Sequence, residues 1–292
     1  MNRILLYVHY NKSDDLSSHV LYQLEKLFPL FSRILLISNS YLSTEHLKSL
    51  RKIGINEVVQ RENIGYDFAA WRDGMNYIGF NSLIDYDSVT LMNDTCIGPL
   101  WDLKEYFEKF EKQLDIDFWG MTNFRKTKYF KEHLQSYFVS YSRQVVSSKV
   151  FQKFWTSIRD YENIRSVIDR YETRFTGILT KSGFKYGVVF NTLHENSDEM
   201  VHPDFSYYKP FKILEHRVPV LKVKAIQAHP LQADQLKNKI REVSDFPIEI
   251  LNSVYSSIEF FSIENEQTER YTLLKKVRNK IKRTIGRGPQ IG

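Results

Sequence analysis

RILLYVHYNKSDD, residues 3–15, sets the terms on which the rest of the chain is read. Arg3 to Asn11 has strand composition, and after a polar turn the stretch from Leu16 to Phe31 reads as a helix. The turn HYNKSDD contains no glycine, so the G-x-G-x-x-G cradle that brings backbone against a dinucleotide pyrophosphate is missing. A nicotinamide-dependent enzyme fails at that point. Outward from this unit the alternation continues. RILLISNS (33–40), Glu57 to Gln60, DSVTLMND (87–94) and DFWGMT (117–122) read as strands, with helices over Leu47 to Ile53 and Tyr66 to Tyr77. This pattern predicts an α/β fold built from parallel β/α units, in which ligands gather at the carboxyl ends of the strands. The polar residues just after each strand are therefore the first candidates for a site.

Downstream the pattern changes. LQSYFVSYSRQVVSS (134–148) reads as a strand followed by a turn, VFQKFWTSI (150–158) as a short helix, and Arg165 to Ser182 as a helix stopped by Gly183. KYGVVF (185–190) is a further strand, and 191–210, with two prolines and no periodicity, reads as a loop over the site. LQADQLKNKIREV (231–243) and FPIEILNSVYSSIEFF (246–261) read as helices. The expected partition is a catalytic domain over 1–230, a helical extension over 231–268 and a basic amphipathic tail over 269–292.

Of the 292 residues, 42% are hydrophobic, enough for a sizeable core, and no apolar run of the length needed to span a bilayer, about 18 residues, occurs. The start of the chain turns polar too soon for a secretory signal, and the single cysteine, Cys96, can form no internal disulfide, so a cytoplasmic protein is expected. The net charge of +6 comes from the tail, where Arg270, Lys275, Lys276, Arg278, Lys280, Lys282, Arg283 and Arg287 lie with no acidic residue among them. No aromatic platform interleaves with these charges, which argues against nucleic acid. Leu273, Leu274, Val277, Ile281 and Ile285 fall on one helical stripe, so the tail reads either as a peripheral anchor on anionic lipid or as a solvated basic end.

Several segments carry chemistry. In ENIGYDFAAWRDGM (62–75), Asn63, Gly65 and the alanines leave room for a ligand, and Asp67 and Arg72 supply opposite charges; the structural alternative is a capped, ion-paired turn. In TLMNDTCIGPL (90–100), Asn93 and Asp94 end an apolar strand. A carboxylate there suits Mg²⁺ or Mn²⁺ held against a diphosphate, although an Asx-turn would also end the strand. His9 and Tyr10 close the first strand where a uracil or thymine base would sit. In RYETRFTGILTKSGF (170–184), Glu172, near a helix start, is the candidate general base for an acceptor hydroxyl, with helix-dipole compensation as its structural alternative. His133, Gln135 and Ser136, and Tyr207 and Tyr208 in HPDFSYYKP (202–210), combine aromatic faces with polar groups, as acceptor sugar binding requires. His202 in that segment is a second candidate metal ligand beside Asp94.

The order of Asn63, Gly65 and a small-residue helix start, followed by a strand ending in an acidic motif, resembles the GT-A glycosyltransferase plan. More specifically, ENIGYDFAAWRDGM, LMNDTCIGPL, DFWGMT, HLQSYFVSYSRQV with FQKFW, and YETRFTGILTKSGF resemble the rhamnan synthesis F protein family over about residues 1–230. The resemblance implies a Rossmann-type nucleotide-sugar-binding sheet and transfer of rhamnose, galactose or another hexose from a dTDP- or UDP-sugar to a lipid-linked glycan, with inversion. It departs from the GT-A plan where Asp-x-Asp is usual and Asn93, Asp94 and Thr95 stand instead. A cationic clamp from Arg72 or from Lys222, in VPVLKVKAI (218–226), then becomes the alternative to a metal. The competing reading is a non-catalytic, glycan-binding scaffold of a polysaccharide-assembly complex.

Overall fold

The computed structural model describes residues 1–126, 131–195 and 204–259. His202 and the basic tail lie outside these residues. Four strands, β1 (Arg3–His9), β2 (Arg33–Ser38), β3 (Glu57–Gln60) and β4 (Ser88–Asn93), pair in parallel in the order β3-β2-β1-β4. The apolar runs of β1, β2 and β4 are buried on both faces, as parallel strands under two helical layers must be, while the edge strand β3 is only partly buried. On β1, Leu5 and Tyr7 enter one core, and Ile4, Leu6 and Val8 the other.

The short strand β5 (Cys96–Ile97) leaves this sheet, which then extends through β6 (Phe118–Phe124), β7 (His133–Leu134), β8 (Phe138–Ser142) and β9 (Tyr186–Phe190). The expected parallel units hold over β1–β4, and beyond them the pattern changes. β8 inserts antiparallel between β4 and β6, and β9 returns parallel on the far edge of β6. β10 (Leu221–Lys222) pairs antiparallel with β5, setting Lys222 opposite Cys96. The sheet is thus mixed, within an α/β fold.

One helical layer contains Ser18–Leu27 and Leu103–Glu111, which bury Val20, Leu24, Leu27, Tyr106 and Phe107. Helices Ala233–Val243 and Ile248–Ser257 add Leu236, Ile240, Leu251 and Val254 to the same core. Trp101 Nε1 donates to the Val243 carbonyl at 2.9 Å, tying this extension to the loop after β5. The other layer contains Tyr66–Ile78, Lys149–Thr156 and Thr173–Lys181, whose rings interlock, with Phe68 stacked on Trp155 at 5.6 Å and Phe154 on Phe175 at 3.9 Å. The region expected to be a loop at 191–210 contains the short helices Thr192–His194 and Phe205–Tyr208 among its described residues. No described helix is long and apolar enough to cross a membrane.

Candidate active site

Polar groups converge where β1 and β4 end. The Asp94 N–H donates to the Val8 carbonyl at 3.2 Å, and Asp94 Oδ2 accepts from the Tyr10 N–H at 2.8 Å, so the two strand exits are tied together. Asn93 turns its side chain to the opposite face. Its Oδ1 accepts from Thr95 Oγ1 at 2.7 Å, closing an Asx-type turn, while its Nδ2 donates to Asp67 Oδ2 at 2.7 Å. Asp67 stands in the first turn of the helix Tyr66–Ile78.

Thus Asn93 lies between two carboxylates. Burial pushes Asp94 up to about 8; the Tyr10 N–H opposes the rise and Asp67 adds to it. Burial likewise pushes Asp67 up to about 6, opposed by Asn93 and reinforced by Glu172. Asn93 thus brings a second carboxyl, from another element, to the strand end where Asp94 stands. No sequence spacing marks that pairing, because it depends on how the helix docks against β4.

Glu172 completes the group. It lies at the end of a π-helical turn, Ile168–Glu172, between the α-helical pieces Ile164–Val167 and Thr173–Lys181. The helical run therefore begins a full eight residues earlier than Glu172, and dipole compensation at a first turn does not explain the residue. Its Oε1 accepts from the Ser136 N–H at 3.2 Å and the Ser136 hydroxyl at 2.8 Å. Ser136, expected to face an acceptor, gives its proton to Glu172 instead.

Lys222 reaches the same end of the sheet. Its Nζ lies 3.8 Å from Asp204 Oδ2 and 5.1 Å from the centre of the Tyr137 ring. Gln135 is buried, donating to Asp204 Oδ1 at 2.9 Å and accepting from Thr122 Oγ1 at 2.6 Å, so it braces Asp204 rather than presenting a free amide. The sequence groups Asp204 with Tyr207 and Tyr208 in the acceptor-binding segment HPDFSYYKP, and only the fold brings it to Lys222. Burial pushes the neighbouring Cys96 thiol up to about 12, which makes it inert. Tyr207 and Tyr208 form an edge-to-face pair at 4.6 Å on the helix beside Asp204.

Three expected contacts fall elsewhere. His9 is fully buried, its Nδ1 3.0 Å from Ser38 Oγ and its Nε2 3.2 Å from the Asp15 carbonyl, and burial pushes it down to about 4. It is neutral near pH 7, and its 3.9 Å approach to Asp94 is no ion pair. Tyr10, 46% exposed, is left as the ring available to a ligand at that strand end. Arg72 donates to Asp73, Asp160 and the Ile158 carbonyl. It is a strut for the loop over Gly65 rather than a diphosphate clamp. A Cβ on Gly65 would come 2.5 Å from Ala69 Cβ and 2.8 Å from Asp160 Oδ1 at φ +77°, so glycine is required there for packing and backbone conformation. Asn63 is half-buried on the same loop. His133 is buried, its Nδ1 2.8 Å from the Lys131 carbonyl and its ring stacked on Phe124.

No group of three or more His, Cys, Asp or Glu side chains able to hold a metal occurs among the described residues. Asp94 and Asp67 nonetheless fit part of a cation site: both are buried carboxyls, each held through one oxygen, and Asp67 adds to the cost of ionising Asp94, which a cation would relieve.

The chain is 31% identical over 163 residues to the uncharacterized protein y4gN of Sinorhizobium fredii, a match covering 56% of this chain and 42% of that protein. It is 29% identical over 137 residues to the virulence protein VirA of Vibrio anguillarum, covering 45% and 41%. The chain thus spans less than half the length of these curated relatives. Among solved structures it is similar to glucosyl-3-phosphoglycerate synthase from Mycobacterium tuberculosis in complex with Mn²⁺, UDP-glucose and phosphoglyceric acid, with TM-score 0.36, 12% identity, and coverage of 65% of this chain and 70% of that one. It is also similar to the mannosyltransferase Ktr4p from S. cerevisiae in complex with GDP, with TM-score 0.37, 10% identity, and coverage of 63% and 69%. These scores are too low to carry any inference about the site. Residues 34–291 match the family described as Rhamnan synthesis protein F, and the chain, matched over most of its length, belongs to that family.

Proposed function

We propose that this chain is a glycosyltransferase of GT-A type that moves a sugar from a nucleotide diphosphate to a growing cell-surface polysaccharide, with inversion. The observation that supports this reading is the convergence of Asp94, Asp67 and Glu172 at the carboxyl edge of the sheet, each from a different element. With a divalent cation between them, Asp94 and Asp67 could hold a leaving diphosphate, while Glu172 could receive a proton. Family membership favours rhamnose from dTDP-rhamnose, with galactose or another hexose from UDP as the alternative.

In the proposed reaction an acceptor hydroxyl attacks the donor's anomeric carbon. The bond from that carbon to the diphosphate oxygen breaks, and its electron pair leaves with the diphosphate. The hydroxyl proton passes to Glu172 Oε2, since Oε1 is tied to Ser136. Tyr10 offers a face for the base, and Lys222 a positive charge for the departing phosphate. Asp94 and Asp67 would hold Mn²⁺ or Mg²⁺, the donor's phosphates completing its ligands, and the cation would supply charge compensation. Tyr207 and Tyr208 are proposed to contact the acceptor glycan. The working position is proposed to be the cytoplasmic face of the membrane, where a lipid-linked acceptor would be presented.

Donor binding tests the reading. Melting of the full chain is followed with dTDP-rhamnose, UDP-galactose, UDP-glucose and their nucleoside diphosphates, in Mn²⁺, Mg²⁺ or EDTA. Ligand at about 100 times its Kd stabilises the folded state by about 2.7 kcal/mol. A shift with one donor, lost in Asp94→Ala, supports the proposal. A shift with a polysaccharide fragment and with no donor would instead favour a glycan-binding scaffold.

A further inference from the structure

We infer that Ser136 is a positioning residue that holds the Glu172 carboxylate in the orientation needed to receive the acceptor proton; this rests on the proposed role of Glu172 as base. The helical run behind the segment 133–138 meets it through two rungs. Thr176 Oγ1 accepts from the Leu134 N–H at 2.9 Å, and one helical turn earlier Glu172 Oε1 accepts from the Ser136 N–H and hydroxyl at 3.2 and 2.8 Å. Leu134 ends β7 and Ser136 stands in the turn that leads to β8, while 172 and 176 lie four residues apart on the helical run, so both rungs join this turn to one side of that run. Thr176 and the Ser136 backbone would suffice to dock the helix.

The Ser136 hydroxyl adds something different. A glutamate has three rotatable side-chain bonds, and a single backbone donor leaves its carboxylate plane free to turn. A second donor from the same residue onto the same oxygen fixes Oε1 and leaves Oε2 outside this pair of hydrogen bonds. The π-turn at Ile168–Glu172 ends at this residue, and such turns re-aim a side chain without interrupting the helix. Glu172 is half-buried against the turn at Ser136 rather than standing on the outer surface.

The test measures nucleoside diphosphate release by the full chain from dTDP-rhamnose, UDP-galactose and UDP-glucose, comparing wild type with Ser136→Ala, Ser136→Thr and Glu172→Gln. Ser136→Ala is expected to lower kcat on the order of 10- to 100-fold, the size of a hydrogen bond to a charged group, with donor KM within about twofold and Tm within a few degrees. Ser136→Thr keeps the hydroxyl and is expected to restore most of kcat. An unchanged kcat in Ser136→Ala beside an inactive Glu172→Gln overturns the positioning role alone. A loss confined to KM also overturns it, making Ser136 a substrate contact. Glu172→Gln as active as wild type, or a wild type that releases nothing from any of the three donors, overturns the role of Glu172 and this inference with it.

Discussion

Replacing Asp94 with asparagine is expected to flatten the pH dependence of stability in the metal-free protein. The Asp94 carboxyl titrates near 3.8 when unfolded and near 8 when folded, because burial and Asp67 penalise its charge. A raised acid contributes stability that is fully present below the unfolded value and is lost as pH rises through the folded one. Between pH 5 and pH 8 the loss accumulates at about 1.4 kcal/mol per pH unit, tapering near pH 8, for a total of about 3–4 kcal/mol. At about 2–4 °C per kcal/mol for a chain of this class, that is roughly 6–16 °C in Tm. His9 runs the other way: its folded value near 4 against 6.5 means stability present above pH 6.5 and lost as pH falls toward 4. Since His9 is common to both proteins, it cancels in the comparison. Melting curves in EDTA at pH 5 and 8 should show wild type losing roughly 6–16 °C more than Asp94→Asn, and Mn²⁺ should reduce the wild-type loss at pH 8. Parallel pH profiles for the two proteins would refute the crowding of Asp94 and Asp67 on which the site rests.

Gly65→Ala should destabilise the protein by about 2–4 kcal/mol, read as a fall in Tm, because the added methyl meets Ala69 and Asp160 at a positive φ. Lys222→Met keeps the apolar stem but removes the charge, and should weaken binding of the active donor on the order of 10- to 100-fold, measured by titration calorimetry. The full chain should sediment with phosphatidylserine vesicles and not with phosphatidylcholine vesicles, and a chain ending at residue 268 should sediment with neither. The lipid contact should fade by about 0.5 M salt if it is electrostatic.

Strands β1, β2 and β4 were legible because burial on both faces writes an unbroken apolar run, as in Leu5 to Val8 and Leu35 to Ile37. The direction of β8 was not legible, since FVSYS has the same composition either way and only its pairing with β4 and β6 decides it. Asp94 and Glu172 could be singled out as candidates because an acid at a strand end and one beside a helix both stand out locally. The pairing of Asp67 with Asn93, the tie from Ser136 to Glu172 and the approach of Asp204 to Lys222 join residues 26, 36 and 18 positions apart, and no local pattern encodes such contacts. Arg72 misled for the same reason: an arginine beside an acid reads alike whether it faces a ligand or, as here, ties down the loop at Ile158 and Asp160.

The most direct test of the account is the rate at which the full chain releases nucleoside diphosphate from its donor in wild type and in Glu172→Gln. Glutamine keeps the shape of the side chain and an oxygen for Ser136, but cannot take the acceptor proton. The account predicts a loss on the order of 10²- to 10⁴-fold in kcat with donor binding and Tm nearly unchanged. A Glu172→Gln protein that turns over its donor at the wild-type rate would contradict it.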